Sequence, residues 1–140
     1  MNSLVIFSVL STALLALAVF RRYVYVPSLP ASGRYTLAID KLVQYQLPLT
    51  VMTRGRRYVD RGLVKTARLI PEGEPNAAPV RVEIDGHVVG YLHAADAQRY
   101  RASLTASKRA LRAYKCRSEI RGGEAENYSV WLDLPEPMTV

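Results

Sequence analysis

Residues 80–92 read VRVEIDGHVVGYL, and the fold turns on them. Val80, Val82 and Ile84 alternate with charged residues, the period-two spacing of a strand with one buried face. Asp85-Gly86 interrupts the run, and Val88, Val89, Gly90, Tyr91 and Leu92 resume it. Asp-Gly between two such runs is a strong hairpin signal, because a tight primed turn needs positive φ, which glycine adopts freely. The rest of the chain after residue 33 reads as strands and a helix packed around this hairpin.

Working upstream, residues 62–70 (GLVKTARLI) form a strand, with Val64 and Ile70 preferred as the inward pair. Residues 53–61 (TRGRRYVDR) are a polar loop in which Arg54, Arg56, Arg57 and Arg61 surround Tyr58. Residues 42–52 (LVQYQLPLTVM) are apolar and β-rich. Pro48 offers no N–H to a ladder, so they read as an edge strand, a bulge or two short pieces. Tyr35, Leu37 and Ile39 alternate in a further half-buried strand over residues 34–40.

Downstream, residues 93–104 carry Asp96 in a first turn and Ala97, Tyr100 and Leu104 at helical spacing, which predicts a helix. Tyr114, Cys116 and Ile120 share the buried face of the next strand, Gly122-Gly123 turns the chain, and Tyr128, Val130, Leu132 and Leu134 alternate in a last one. Pro71 to Pro79 is a proline-rich loop. Five to seven short strands with one helix describe a small, mainly β domain, a β-barrel or a sheet-dominated α+β unit.

The first residues are different. Leu4 to Phe20 carries no charge, and its polar residues are Ser8, Ser11 and Thr12. A cleaved signal peptide fits the Ala16-Leu17-Ala18 pattern but lacks basic residues before the apolar run. A core helix would be too apolar on every side for so small a domain. The preferred reading is a single N-terminal transmembrane helix, ended by Arg21-Arg22, with Tyr23 and Tyr25 at headgroup depth. Positive charge after the span then places the C-terminal domain on the cytoplasmic side of the inner membrane. This divides the chain into an anchor at residues 1–22, a linker at 23–33 and a domain at 34–140.

All 19 Lys and Arg and all 12 Asp and Glu lie outside that apolar run, so the net charge of +7 belongs to the rest of the chain. Such a balance points to a polyanionic neighbour, nucleic acid or an anionic leaflet, without choosing between them. Two histidines and one cysteine without clustered spacing give no basis for a metal site. No phosphate loop, nucleophile elbow or paired catalytic carboxylates appear, so catalytic residues, cofactors and a small-molecule substrate are not expected.

The best functional candidates are Arg54, Arg56, Arg57 and Tyr58, since single-strand binders combine a cationic track for phosphates with aromatic faces for bases. The plainer reading is a solvated basic loop with Tyr58 packed on the barrel. Tyr91 is a further candidate ring, with Gly90 either a bulge that aims it or a close strand–helix contact. A second basic run, Lys108, Arg109, Arg112, Lys115, Arg117 and Arg121, reads as a solvated face.

The order of these pieces resembles a HIRAN domain of the small stand-alone bacterial type. The similarity rests on Gly55-Arg56-Arg57-Tyr58, Pro75-Asn76-Ala77, Ile84-Asp85-Gly86, Val89-Gly90-Tyr91-Leu92, Asp96 and Val130-Trp131-Leu132-Asp133-Leu134-Pro135. It spans roughly Met52 to Pro137. The resemblance implies an OB-like barrel that grips the 3′ end of single-stranded DNA, with Arg57 and Tyr58 at the matching positions of the binding loop. The chain departs from the family pattern where an Asn-Pro-x-Asp-x-Asn-Ala segment is shortened to Glu74-Pro75-Asn76-Ala77. Val59 stands where the family has a second aromatic. The alternative function is a non-catalytic module that kept the fold and binds a protein partner or anionic lipid.

Overall fold

A computed structural model of the chain describes residues 2–23, 25–40, 43–73, 79–124 and 127–135. The elements are α1 (Asn2–Tyr23), β1 (Leu37–Ala38), a 3-10 turn (Val43–Tyr45), α2 (Gln46–Thr53), β2 (Tyr58–Pro71), β3 (Val80–Ile84), β4 (His87–Tyr91), α3 (Ala94–Ala106), β5 (Tyr114–Glu124) and β6 (Asn127–Asp133). The strands form one antiparallel sheet in the order β1-β6-β5-β2-β3-β4. The sheet curls into a half-barrel whose concave side carries the core.

Asp85 (φ 50°) and Gly86 (φ 78°) make the β3–β4 turn, both at positive φ as a type I′ turn requires. Val80, Val82 and Ile84 are buried on β3. They meet Ala67 and Leu69 of β2, Cys116 and Ile120 of β5, and Val130 and Leu132 of β6 in one cluster. Ala97, Tyr100 and Leu104 of α3 complete it, as their spacing predicts.

The two edges of the curled sheet approach each other at residues 39–40. The Ile39 N–H donates to the Val130 carbonyl (3.1 Å) and the Asp40 N–H to the Tyr91 carbonyl (2.9 Å). A Cβ at Gly90 would lie 2.9 Å from both the Asp40 carbonyl oxygen and Ile39 Cδ1, so a side chain there would push this seam apart. Of the two readings open for Gly90, the bulge is present, since Val89 is extra between the Val82–Gly90 and Glu83–Val88 pairs, and the close approach is to the seam at residues 39–40 and not to a helix. His93 Nδ1 pairs with Asp40 Oδ1 beside it.

The structure corrects several expectations. Among the described residues no helix is long and apolar enough to cross a membrane, which overturns the transmembrane span expected at Leu4 to Phe20. The apolar run at residues 4–20, after the polar Asn2 and Ser3, has 17 residues. It rises about 26 Å as a helix, against a hydrocarbon core of roughly 30 Å. Arg21 ends it, and the hydroxyls of Ser11 and Thr12 turn back onto the Ser8 carbonyl. The expected cytoplasmic placement had that span as its premise, and the missing span by itself assigns no location. The described side chains of α1, residues 6–21, are exposed.

The one helix expected after residue 33 is joined by a second, α2, where strand pieces were expected. Pro48 is the third residue of α2, in the first turn, where its missing N–H has no intrahelical partner to lose. Leu49 and Thr53, one turn apart, are buried, and Met52 packs against the core. Burying Leu49 contributes about 2 kcal/mol, which outweighs the β-propensity of the segment. Gln46 fixes the start of α2: its Nε2 donates to the Tyr128 carbonyl (3.0 Å) and its Oε1 accepts from the Tyr128 N–H (2.7 Å).

On β2 the inward set is Leu63, Lys65, Ala67 and Leu69, the parity opposite to the one expected, and Val64 is 45 % exposed. Three apolar residues go inward because Lys65 escapes at the rim, where its Nζ reaches Asp85 Oδ2 at 2.8 Å. The first strand is two residues rather than seven, although Leu37 and Ile39 point inward as expected. Gly122 and Gly123 lie within β5, and the chain reverses later, between Glu124 and Asn127. The family-like Pro75-Asn76-Ala77 segment lies outside the described residues.

Candidate nucleic-acid interface

Residues 54–58 occupy the passage from α2 to β2, and local forces fix their path. α2 ends at Arg54 in the left-handed region (φ 54°, ψ 36°), followed by Gly55 at φ 68°. The Arg54, Gly55 and Arg56 N–H groups donate to the carbonyls of Val51, Thr50 and Thr53 at 3.0–3.2 Å, satisfying the open end of the helix. The Arg56 carbonyl accepts the Tyr128 hydroxyl at 2.8 Å. A Cβ at Gly123 would stand 2.7 Å from that same carbonyl oxygen, so the loop rests directly on β5 backbone.

Tyr58 then opens β2 opposite Gly122, but the next paired position is Leu63 opposite Ile120. β2 thus carries three more residues than β5 over this stretch, a bulge that lifts Val59 to Gly62 out of the regular ladder. Glu119 holds the bulge, its Oε1 accepting from the Gly62 N–H (2.9 Å) and from Arg121 Nε (3.0 Å). Partial burial alone would raise the Glu119 pKa. The Arg121 and Gly62 donors outweigh it and hold the carboxyl below its usual value.

The outcome is a hollow of about 170 Å³ lined by Met52, Thr53, Arg54, Arg56, Tyr58, Leu63 and Lys65. Three of the five residues singled out from the sequence, Arg54, Arg56 and Tyr58, meet there. Among the described residues neither Arg54 nor Arg56 has an acidic partner. Lys65 adds a third cation, half engaged by Asp85, and Met52 and Leu63 supply an apolar floor. The sequence does not single out these last three residues. Alternation along residues 62–70 makes Lys65 a member of a strand face rather than a rim position, and the apolar run at 42–52 places Met52 on a strand.

Arg57 does not line the hollow. Its guanidinium points to Glu124, 3.4 Å away, with both side chains exposed. Tyr91 does not line it either. Its ring packs against Tyr45, centroids 6.3 Å apart, at the start of α2. Arg54 caps the other end of that eight-residue helix, so Tyr91 stands about 12 Å of helix rise away. Burial first, then the Glu72 charge, raises the Tyr91 pKa.

A second hollow, about 360 Å³, lies along the linker between Pro30, Ala31, Ser32, Arg34, Thr36, Leu134 and Pro135 and contains no aromatic ring. Among the described residues no three His, Cys, Asp or Glu side chains gather as a metal site would need. No protein-family model matches the chain, and none of the curated proteins or solved structures compared with it does either.

Proposed function

We propose that the hollow at Arg54, Arg56, Tyr58 and Lys65 binds single-stranded, end-exposed nucleic acid without catalysis. The observation that carries this reading is the convergence of two arginines without an acidic partner among the described residues, a lysine and a half-buried tyrosine ring on one apolar floor. Cations serve phosphates and the ring serves a base, at about 1–3 kcal/mol for each stacked base. The hollow is smaller than the 300–1,000 Å³ usual for small-molecule sites, which suits one terminal unit of a polymer better than a whole buried ligand. The resemblance of Gly55-Arg56-Arg57-Tyr58 to the HIRAN binding loop supports the same reading and adds a preference for 3′ ends. In this reading Arg57 serves at the rim, released from Glu124.

A second reading, a module that docks a protein partner or anionic lipid, is favoured by one observation. Val43, Leu47 and Val51 are 89, 72 and 67 % exposed and fall in a row leading to Arg54. An apolar line with arginines at its end also suits a lipid headgroup boundary. The test is fluorescence anisotropy of an oligothymidylate against the full chain over a salt series, with Arg54→Ala/Arg56→Ala beside it. Nucleic-acid binding predicts a log-linear fall of affinity with salt whose slope drops by about 1.4 in the double variant. Unchanged slopes, together with flotation of the protein on anionic vesicles lost in Leu47→Ser/Val51→Ser, would establish the second reading instead.

A further inference from the structure

The geometry points to a second nucleic-acid contact, on the convex face of the sheet, where Arg68, Lys115 and Arg117 form a track for a phosphodiester backbone. Arg68 of β2 and Lys115 of β5 are direct cross-strand partners. Arg117 follows Lys115 by two residues on the same face, opposite Thr66. Directly opposed side chains start about 5 Å apart and successive same-face residues about 7 Å apart, so the three cationic groups share one small area. Like charges placed directly opposite destabilise a sheet.

The carboxylates of this face offset only part of that repulsion, through the Asp133 charge near Arg117, because each is already engaged elsewhere. Glu83, across from Arg68 on β3, accepts from Arg81 Nε at 2.9 Å. Glu119 is held by Arg121 and the Gly62 N–H. Asp133, across from Arg117 on β6, is buried under Ser32 and Gly33. Among the described residues none of the three cations has an ion-pair partner. The sheet thus presents a surplus of positive charge on a rigid surface with the Thr66 hydroxyl beside it, the footprint of sequence-independent backbone contact.

This face lies on the opposite side of β2 from the hollow, since Lys65 and Leu63 point inward while Thr66 and Arg68 point outward. The ring on this face, the half-buried Trp131 across from Glu119, is covered by the Arg121 guanidinium 4.7 Å from its centroid, so the track offers charge rather than base stacking. Its binding is independent of Tyr58.

The test uses the full chain and the triple variant Arg68→Ser/Lys115→Ser/Arg117→Ser, with oligothymidylate, inorganic polyphosphate and phosphatidylserine vesicles as separate probes. The triple variant is expected to melt within a few degrees of the unmodified protein, because the Arg68–Lys115 repulsion it loses offsets the lost attraction between Arg117 and the buried Asp133. Its log–log salt slope for oligothymidylate is expected to fall by about 2, three contacts at about 0.7 each. Polyphosphate binding is expected to weaken in the triple variant and to stay unchanged in Tyr58→Ala. A wild-type slope in the triple variant overturns the proposal. Loss confined to vesicle binding also overturns it, assigning the face to lipid headgroups. Failure of Tyr58→Ala to affect any probe counts against the hollow alone and leaves this face standing.

Discussion

Replacing Arg54 by glycine separates what the residue does for the fold from what it does in the hollow. Arg54 ends α2 at φ 54°, a conformation that costs a residue with a Cβ about 1–2 kcal/mol. Glycine removes that cost but adds about 0.4–1 kcal/mol of unfolded-state entropy. The net effect is a gain of about 0.5–1 kcal/mol, a rise in Tm of roughly 2–4 °C for a chain of this size. The backbone bonds of the cap, Arg54 N–H to Val51 and Gly55 N–H to Thr50, need no side chain and persist. At the same time one phosphate contact disappears, lowering the salt slope for single strands by about 0.7, about fivefold in affinity at 0.1 M salt relative to 1 M. Thermal melts and anisotropy on the same preparation read both quantities. Arg54→Lys should restore binding and lose the gain in Tm. A stabilised glycine variant with unchanged affinity would refute the placement of Arg54 in the binding site, and a destabilised one would refute the argument from backbone strain.

The buried polar groups carry further predictions. Asp133 accepts from the Ser32 N–H (2.9 Å), the Ser32 hydroxyl (2.6 Å) and the Gly33 N–H (2.8 Å), tying the linker to the end of β6. Burial alone would raise its pKa, but these donors and the Arg117 charge outweigh it and hold the carboxyl below its usual value. The stability it confers is therefore complete above about pH 4 and lost as pH falls through the lower folded value. Asp133→Asn should cost about 2 kcal/mol at neutral pH and flatten the acid limb of a denaturation series. Burial first, then the Asp133 charge, pushes the Cys116 thiol up to about 12, so it should react with a maleimide only at the rate of unfolding. Fast labelling of the folded chain would contradict its place in the core. The buried Tyr100 hydroxyl has no hydrogen-bond partner among the described residues. Tyr100→Phe should therefore change stability by less than about 0.5 kcal/mol in chemical denaturation, or raise it.

The most local features were legible in the sequence. Asp85-Gly86 needs nothing beyond its neighbours to turn, and the buried positions of α3 and of β6 follow from single periodicities. α2 was hidden because Pro48 counts against a strand and equally permits a helix start. What decides between them is distant, the two hydrogen bonds from Gln46 to Tyr128. The parity of β2 was hidden for a related reason, since Lys65 can sit on the inward face only where Asp85 meets it at the rim. The apolar run at the start suggested a span on composition, while its length fell short. For the interface, the arginine–tyrosine loop stood out in the sequence, but which members converge depends on the αL turn at Arg54 and the β2 bulge. Those two features bring Arg54, Arg56 and Tyr58 together and leave Arg57 facing Glu124. The pairing of Arg68 with Lys115 is a matter of register between strands nearly fifty residues apart, which periodicity within one strand does not contain.

The most direct measurement compares the full chain and Tyr58→Ala in binding oligothymidylate with a free and with a blocked 3′ hydroxyl, at one fixed salt concentration. The account predicts that the unmodified protein prefers the free end and that the alanine variant loses about 1–3 kcal/mol of affinity together with that preference. Equal, weak binding of both strands by both proteins would contradict it.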